Sequence, residues 1–92
     1  MGTYFLFGKY TQDSLKKINA RRTAGAAAVI KKNGGLLKSG YALLGEVDLI
    51  LIADFPDNAT AMKASIELTR QLGIGFRTAP AVSVEYFDSL VG

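Results

Sequence analysis

Residues 47–55 read VDLILIADF, from Val47 to Phe55, and this stretch decides the fold. At the two-residue period of a β-strand, one side is entirely apolar and the other carries Ile50 and Ile52 between two aspartates. A strand with apolar residues on both sides has to be covered on both sides. Because a chain of 92 residues has too few helices to cover both faces of a sheet, we expect a second subunit to cover one face.

The composition limits the chemistry that the chain can perform. Its 92 residues are 49% hydrophobic and 21% charged, which is typical of a globular protein, and we expect one domain over residues 1–92. The chain has no Cys and no His, so disulfides, thiolate ligands and the commonest metal ligand and general base are absent. Catalysis by a Cys or by a Ser–His pair is therefore excluded. We expect no metal site and no cofactor.

The first residues and the hydropathy pattern bear on location. The N-terminal stretch lacks the basic start and the long apolar core of a signal peptide. No apolar run approaches the length needed to cross a bilayer. The sequence therefore predicts a cytoplasmic protein without a membrane partner.

The charges are distributed unevenly along the chain. Through Gly45 there are eight Lys or Arg residues and one acid, whereas from Glu46 onward there are three basic and seven acidic residues. This asymmetry is typical of a nucleic-acid surface or of a dipole that helps subunits to pair. An RNA-recognition motif needs exposed aromatic residues on its central strands, and the third strand has none before Phe55. The pattern disfavours a nucleic-acid partner and favours a solvated helix face.

Periodicity and chain-breaking residues define the other elements. They predict strands over 3–10, 36–44, 47–55 and 76–84, helices within 11–33 and 57–72, and a short helical tail over 85–91. This order is that of a ferredoxin-like α+β fold, βαββαβ, with a four-stranded antiparallel sheet and both helices on one face. Strands 1 and 3 would be central, and Pro80 suits an edge position for strand 4 because it has no N–H donor. The uncovered face should stack on a second copy, which predicts a homodimer or a dimer-based higher oligomer.

The two helical regions differ in how well they fit an unbroken helix. In the second, one face is predicted to cover the sheet through Ala61, Met62, Ser65, Ile66, Leu68, Thr69 and Leu72. In the first, Arg22 would project from the middle of an apolar face that includes Leu15 and Ile18. Burying an unpaired arginine is costly. We therefore expect the helix to break near Asn19–Ala20, with Asn19 capping a new helix and Arg22 at the mouth of a cavity.

Four side chains form the candidate ligand site: Arg22, Tyr41, Asp48 and Arg77. The two arginines would bind an anionic group, while Tyr41 and Asp48 would set the polarity of the pocket. Asp48 begins a largely buried strand, so an alternative is a structural carboxylate that accepts backbone N–H bonds or pairs with an arginine. Tyr10 and Glu46 are further candidates.

Several segments of the chain resemble a known family. Residues 44–48, Leu-Gly-Glu-Val-Asp, resemble the Gly-x-Tyr-Asp signature of the GYD domain family, except that Val47 stands where the signature has Tyr. Segments elsewhere also fall where the pattern of that family would put them: Arg22-Thr23-Ala24, Gly34-Gly35, Tyr41, Pro56-Asp57 and Phe76-Arg77-Thr78. The resemblance covers nearly the whole chain. The absence of the signature Tyr removes any role that its phenol would have here.

The resemblance implies a ferredoxin-like domain that assembles as a dimeric α/β barrel, with the open face of the sheet stacked on its partner. It implies little about activity, because proteins of this architecture include cofactor-free monooxygenases, effector domains of regulators and heme-related enzymes. The leading hypothesis is an oligomeric, non-enzymatic module that binds a small organic or anionic ligand. The alternatives are a cofactor-independent enzyme of the monooxygenase type, in which Tyr41 and Asp48 position the substrate, and a purely structural module for self-association.

Overall fold

The protein is described by a computed structural model that covers residues 1–92. Its strands are β1 (Gly2–Tyr10), β2 (Leu36–Ala42), β3 (Leu49–Phe55) and β4 (Ile74–Ala81). Its helices are α1 (Gln12–Lys16), α2 (Arg21–Lys32), α3 (Asn58–Leu72) and α4 (Val84–Val91). The strands form one antiparallel sheet in the order β2-β3-β1-β4. This arrangement confirms the ferredoxin-like α+β prediction, with β1 and β3 in the centre and Pro80 on an edge strand.

Residues with capping chemistry set the ends of α3. The Asp57 carboxylate accepts a hydrogen bond from the Thr60 backbone N–H at 2.8 Å, and Asp57 is the N-cap residue. Gly73 ends the helix with φ +68°, a left-handed conformation that a Cβ would disfavour. The predicted start and end of this helix are therefore confirmed.

The first helical region is broken, as the position of Arg22 requires. α1 ends at Lys16 and α2 begins at Arg21, whose backbone N–H donates to the Asn19 side-chain oxygen at 2.9 Å. The predicted break is thus confirmed, but the N-cap residue of α2 is Ala20, so the prediction that Asn19 is the capping residue is wrong. Asn19 precedes the cap and accepts only the Arg21 N–H through its side chain. The prediction that Leu15 and Ile18 share a buried face with α2 is wrong, because both side chains are about half exposed. The break puts them out of phase with the buried side of α2.

The core lies between one face of the sheet and helices α2 and α3. Small residues let α3 approach the sheet closely, and this orientation turns Met62 and Ile66 toward solvent, with 63% and 48% of their surface exposed. The prediction that these two residues cover the sheet is therefore wrong. The buried apolar cluster is formed by Tyr4, Leu6, Ala26, Val29, Ile30, Leu51, Ala53, Phe55, Ala61, Ala64 and Leu68.

Several strand boundaries differ from the sequence prediction. β2 ends at Ala42 and β3 begins at Leu49, so a six-residue connection replaces the expected tight turn at Gly45–Glu46. The two ends of this connection are joined by a hydrogen bond from the Leu43 N–H to the Asp48 carbonyl oxygen at 2.9 Å. β4 covers Ile74–Ala81 instead of 76–84, because pairing with β1 begins directly after the end of α3.

Two surfaces remain without a partner within the chain. α4 continues beyond the end of β4, and the Cα atoms extend over 47 × 30 × 18 Å. The sheet face opposite α2 and α3, called the open face below, carries no helix and presents half-buried Phe5, Phe7, Ile50 and Ile52. None of the helices has the length and apolar character that crossing a bilayer requires.

Candidate functional site

Two of the four predicted site residues lie in one row across the open face. Phe7 is in register with Ile50 on one side and with Arg77 on the other, and Ile50 is in register with Tyr41. Tyr41 and Arg77 are therefore on the two edge strands, separated by three strand spacings, or about 14 Å at ~4.8 Å each. Tyr41 has 58% of its surface exposed. The two side chains share a face of the sheet without meeting in one cavity.

Arg77 borders a depression at one end of the sheet, called the Arg77 pocket below. Its volume is about 450 Å³, and it is lined by Phe7, Gly8, Lys9, Glu46, Val47, Gly75, Phe76 and Arg77. A volume in this range is typical of small-molecule sites. The pocket thus combines the apolar residues Phe7 and Val47 with two basic side chains and one acidic side chain.

Gly8 lets β1 and β4 pack closely on the helix side of the sheet, behind the Arg77 pocket. Gly8 is in register with Phe76, and a Cβ built on Gly8 would lie 2.9 Å from the Phe76 ring and 3.1 Å from a methyl group of Ile74. Because Gly8 has no side chain, the ring of Phe76 can cover the backbone of β1 at this point. This role of Gly8 was not predicted from the sequence, where glycines indicated only the ends of helices.

The charged groups of the Arg77 pocket are only partly engaged within the chain. The Lys9 ammonium donates one hydrogen bond, to the Glu46 carbonyl oxygen at 3.0 Å. Arg77 forms neither an ion pair nor a side-chain hydrogen bond, and the Glu46 carboxylate forms no ion pair. A guanidinium with free donors beside one aromatic residue, Phe7, is suited to bind a carboxylate in a bidentate manner.

Arg22 lies on the opposite side of the sheet and has a structural role. Its guanidinium donates to the carbonyl oxygen of Ser14 at 2.9 Å and to that of Leu72 at 3.0 Å. These carbonyls lie at the C-terminal ends of α1 and α3, where carbonyl groups run out of helical N–H donors. The Ser14 carbonyl also accepts the Lys17 N–H at 3.2 Å, so Arg22 is its second donor. A cation at a helix C-terminus is also favoured by the helix dipole. Arg22 borders a cavity of about 90 Å³ between the helices and the sheet, which is much smaller than the Arg77 pocket.

Asp48 also has a partner within the chain. Its carboxylate accepts a hydrogen bond from the Tyr10 backbone N–H at 2.9 Å, and its own N–H donates to the Gly8 carbonyl oxygen at 3.0 Å. It forms no ion pair with an arginine. This arrangement matches the structural alternative for Asp48, with the N–H donor supplied by β1 instead of the turn at Gly45–Glu46.

The four predicted residues therefore separate into two groups. Arg77 and Tyr41 lie on the open face, with Arg77 bordering the Arg77 pocket, whereas Arg22 and Asp48 form hydrogen bonds with backbone groups. Lys9 was not among the predicted site residues. It lies two residues after Phe7 in β1 and therefore on the same face of the sheet, so its position was predictable. No group of three or more acidic side chains comes together to hold a metal ion.

The sequence matches the family model of the GYD domain over residues 4–91. The chain belongs to the GYD domain family. This match covers nearly all of the 92 residues, and it confirms the resemblance to this family. No curated protein matches the chain in sequence.

The fold of this GYD domain is similar to that of a solved regulatory protein. The crystal structure of the leucine response regulatory protein of Mycobacterium tuberculosis superposes with a TM-score of 0.59 and 10% sequence identity. The match covers 90% of this chain and 51% of that protein, so the GYD domain spans about half the length of the regulator. At this identity the similarity is one of fold alone, and it supports the ferredoxin-like assignment.

Proposed function

We propose that this chain is a single-domain, self-associating cytoplasmic module that binds a small carboxylate-bearing organic molecule in the Arg77 pocket. The observation that carries the proposal is the unpaired guanidinium of Arg77 on the open face beside Phe7, with the Lys9 ammonium lining the same pocket. The pocket lies at one end of the open face, where a second copy would cover the sheet. Binding and assembly would then take place on neighbouring parts of one surface.

Charge and shape in the pocket suggest the ligand class. Arg77 and Lys9 supply positive charge for a carboxylate, and Phe7 with Val47 supplies an apolar surface. The Glu46 carboxylate on the rim could accept an ammonium group. Together these groups suit an amino acid or an aromatic carboxylate. The solved regulator of similar fold is named for a response to leucine, so leucine is a suitable probe.

Binding is tested by titrating the ¹⁵N-labelled protein with benzoate, benzamide and L-leucine. Benzamide is a neutral analogue of benzoate, so the comparison isolates the charge. We expect benzoate to shift the amide resonances of Gly8, Gly75 and Arg77, and benzamide to bind at least about tenfold more weakly, since charge-assisted hydrogen bonds contribute roughly 1.5–3 kcal/mol. Binding of leucine in addition would assign a role to Glu46.

Arg77→Gln and Arg21→Gln form a matched pair of variants. Both residues are exposed and neither side chain has a partner, but Arg21 lies at the start of α2, on the other side of the sheet. We expect the change at Arg77 to weaken benzoate binding about tenfold or more and the change at Arg21 to leave it unchanged. Equal weakening by both changes, or no binding of any probe, would contradict the proposed site.

Self-association through the open face is tested with a second pair. Ile52 lies in the middle of the open face, whereas Ile18 is exposed in the connection between α1 and α2. We expect Ile52→Asp to lower the mass measured by sedimentation equilibrium, because stacking would bury the new carboxylate. Ile18→Asp should leave the mass unchanged. A monomeric wild-type chain at high concentration would refute this part of the proposal.

A further inference from the structure

The C-terminal helix α4 has the composition of a docking helix. Its apolar side chains are Val84, Tyr86, Phe87, Leu90 and Val91, and each has more than half of its surface exposed. At 100° per residue, they occupy one broad side of the helix, and Glu85 and Asp88 occupy the other. Burial of a stripe of this kind is what normally stabilises so short a helix. Within the chain, nothing covers it.

A second unpartnered surface has a shape that could receive a helix. Met62 and Ile66 of α3 are exposed. A depression of about 360 Å³ separates these two residues from Phe76 and Pro80 of β4. We call this depression the α3–β4 groove. It is on the helix side of the sheet, away from the open face. Its floor includes Tyr4, whose hydroxyl donates to the Asn58 side-chain oxygen at 2.6 Å.

The charges of the two surfaces are complementary. The exposed flank of the groove carries Lys63 and Arg70, which border the same Met62–Ile66 ridge. α4 carries two acids and no base. The other charged residue on this flank, Glu67, is within 3.5 Å of Lys32 and is therefore paired already. The charges that remain free on the ridge are basic, and those on α4 are acidic.

From these observations we propose that α4 of one chain docks in the α3–β4 groove of a second copy of this chain. The connection between β4 and α4 has only two residues, Val82 and Ser83, and the Ser83 hydroxyl accepts the Tyr86 N–H at 3.1 Å to start the helix. So short and capped a connection disfavours folding back onto the same chain and favours exchange between copies. Reciprocal docking about a two-fold axis buries both helices and closes the assembly.

Cysteine crosslinking tests this docking directly, because the wild-type chain has no cysteine. Met62→Cys and Phe87→Cys chains are mixed under oxidising conditions, and the disulfide-linked dimer is measured on non-reducing gels. We expect a heterodimer well above the yield from a control mixture of Lys17→Cys with Phe87→Cys, since Lys17 is exposed outside the groove. A yield equal to that of the control would overturn the proposal. A single chain that carries both Met62→Cys and Phe87→Cys provides a further test. If its disulfide forms within one chain at every protein concentration, the proposal is also overturned.

Charge reversal provides a second test that does not depend on cysteine reactivity. One chain carries Lys63→Glu with Arg70→Glu, the other carries Glu85→Lys with Asp88→Lys, and both carry Phe87→Trp as the sole tryptophan. Alone, each chain opposes like charges, so we expect a tryptophan emission typical of an exposed side chain. Mixing the two chains should restore a blue-shifted, buried emission. If the mixture keeps the exposed emission and only a chain with all four reversals shows the buried emission, α4 docks within its own chain. That result would refute the exchange. The tryptophan emission reports only on the burial of α4. A negative result for docking is therefore distinguishable from a negative result for ligand binding at Arg77.

Discussion

Arg22 ties together the C-terminal ends of two helices, and its removal should cost a large part of the stability of the chain. The guanidinium makes two hydrogen bonds, to the carbonyl oxygens of Ser14 and Leu72 at 2.9 and 3.0 Å. A hydrogen bond to a charged group contributes roughly 1.5–3 kcal/mol when buried. Because Arg22 is only half-buried, we take about 1–1.5 kcal/mol for each bond. Arg22→Met should therefore lower the free energy of unfolding by about 2–3 kcal/mol.

The assay is urea unfolding followed by far-UV circular dichroism, with a thermal scan as a second measurement. For a domain of this size each kcal/mol corresponds to about 4–8 °C in Tm, so we expect a decrease of roughly 10–20 °C. Arg22→Lys keeps the charge but not the two-pronged geometry, and should fall between the wild type and Arg22→Met.

The neighbouring residue supplies the control. Arg21 is exposed and its side chain contacts no partner, so Arg21→Met should change the stability by less than about 0.5 kcal/mol. Equal effects of the two changes would refute the reasoning, as would an Arg22→Met protein as stable as the wild type. In that case the guanidinium would be free for a ligand, as predicted from the sequence.

Two further predictions concern packing and a helix cap. Gly8→Ala should destabilise the protein by about 1–3 kcal/mol, because the new Cβ would lie 2.9 Å from the Phe76 ring. Adding Phe76→Leu should recover part of this loss of stability in the same urea assay. If the second change recovers nothing, the strain does not come from the Phe76 ring. Hydrogen bonds from the Thr60 backbone N–H and hydroxyl lower the pKa of Asp57 below that of a free aspartate. A carboxyl whose pKa is lower in the folded state stabilises the fold above its unfolded pKa, near 4, and loses this contribution as the pH falls through the folded pKa. Urea unfolding from pH 7 to 2 should therefore show a flatter acid limb for Asp57→Asn than for the wild type, and identical limbs would contradict this assignment.

The order of the strands and the main helix boundaries were predictable from local chemistry. Alternating apolar residues define the central strand β3, and Asp57 and Gly73 start and end α3 through backbone hydrogen bonding and a left-handed φ. Even the break before α2 was predictable, because a buried, unpaired Arg22 in a continuous helix would be too costly. These features depend on residues close in sequence, or on a single energetic conflict that the sequence displays.

The composition of the site was much less predictable. Arg22, Tyr41, Asp48 and Arg77 were grouped by residue type, yet the structure separates them to two sides of the sheet. Which side each one occupies depends on strand register and on the position of the helix break. Neither can be read from residue type alone, since a shift of one residue moves a side chain to the other face.

The amino-acid sequence of this GYD domain was sufficient to establish its family, its order of elements and the apolar character of its open face. All three depend on patterns among residues that are close together in the sequence. Only the tertiary structure decided which carbonyls engage Arg22, that Arg77 borders a pocket with Lys9, and that Met62 and Ile66 face solvent. The physical reason is that these outcomes depend on contacts between residues far apart in the chain. Such contacts are set by the packing of helices on the sheet, which no local pattern encodes.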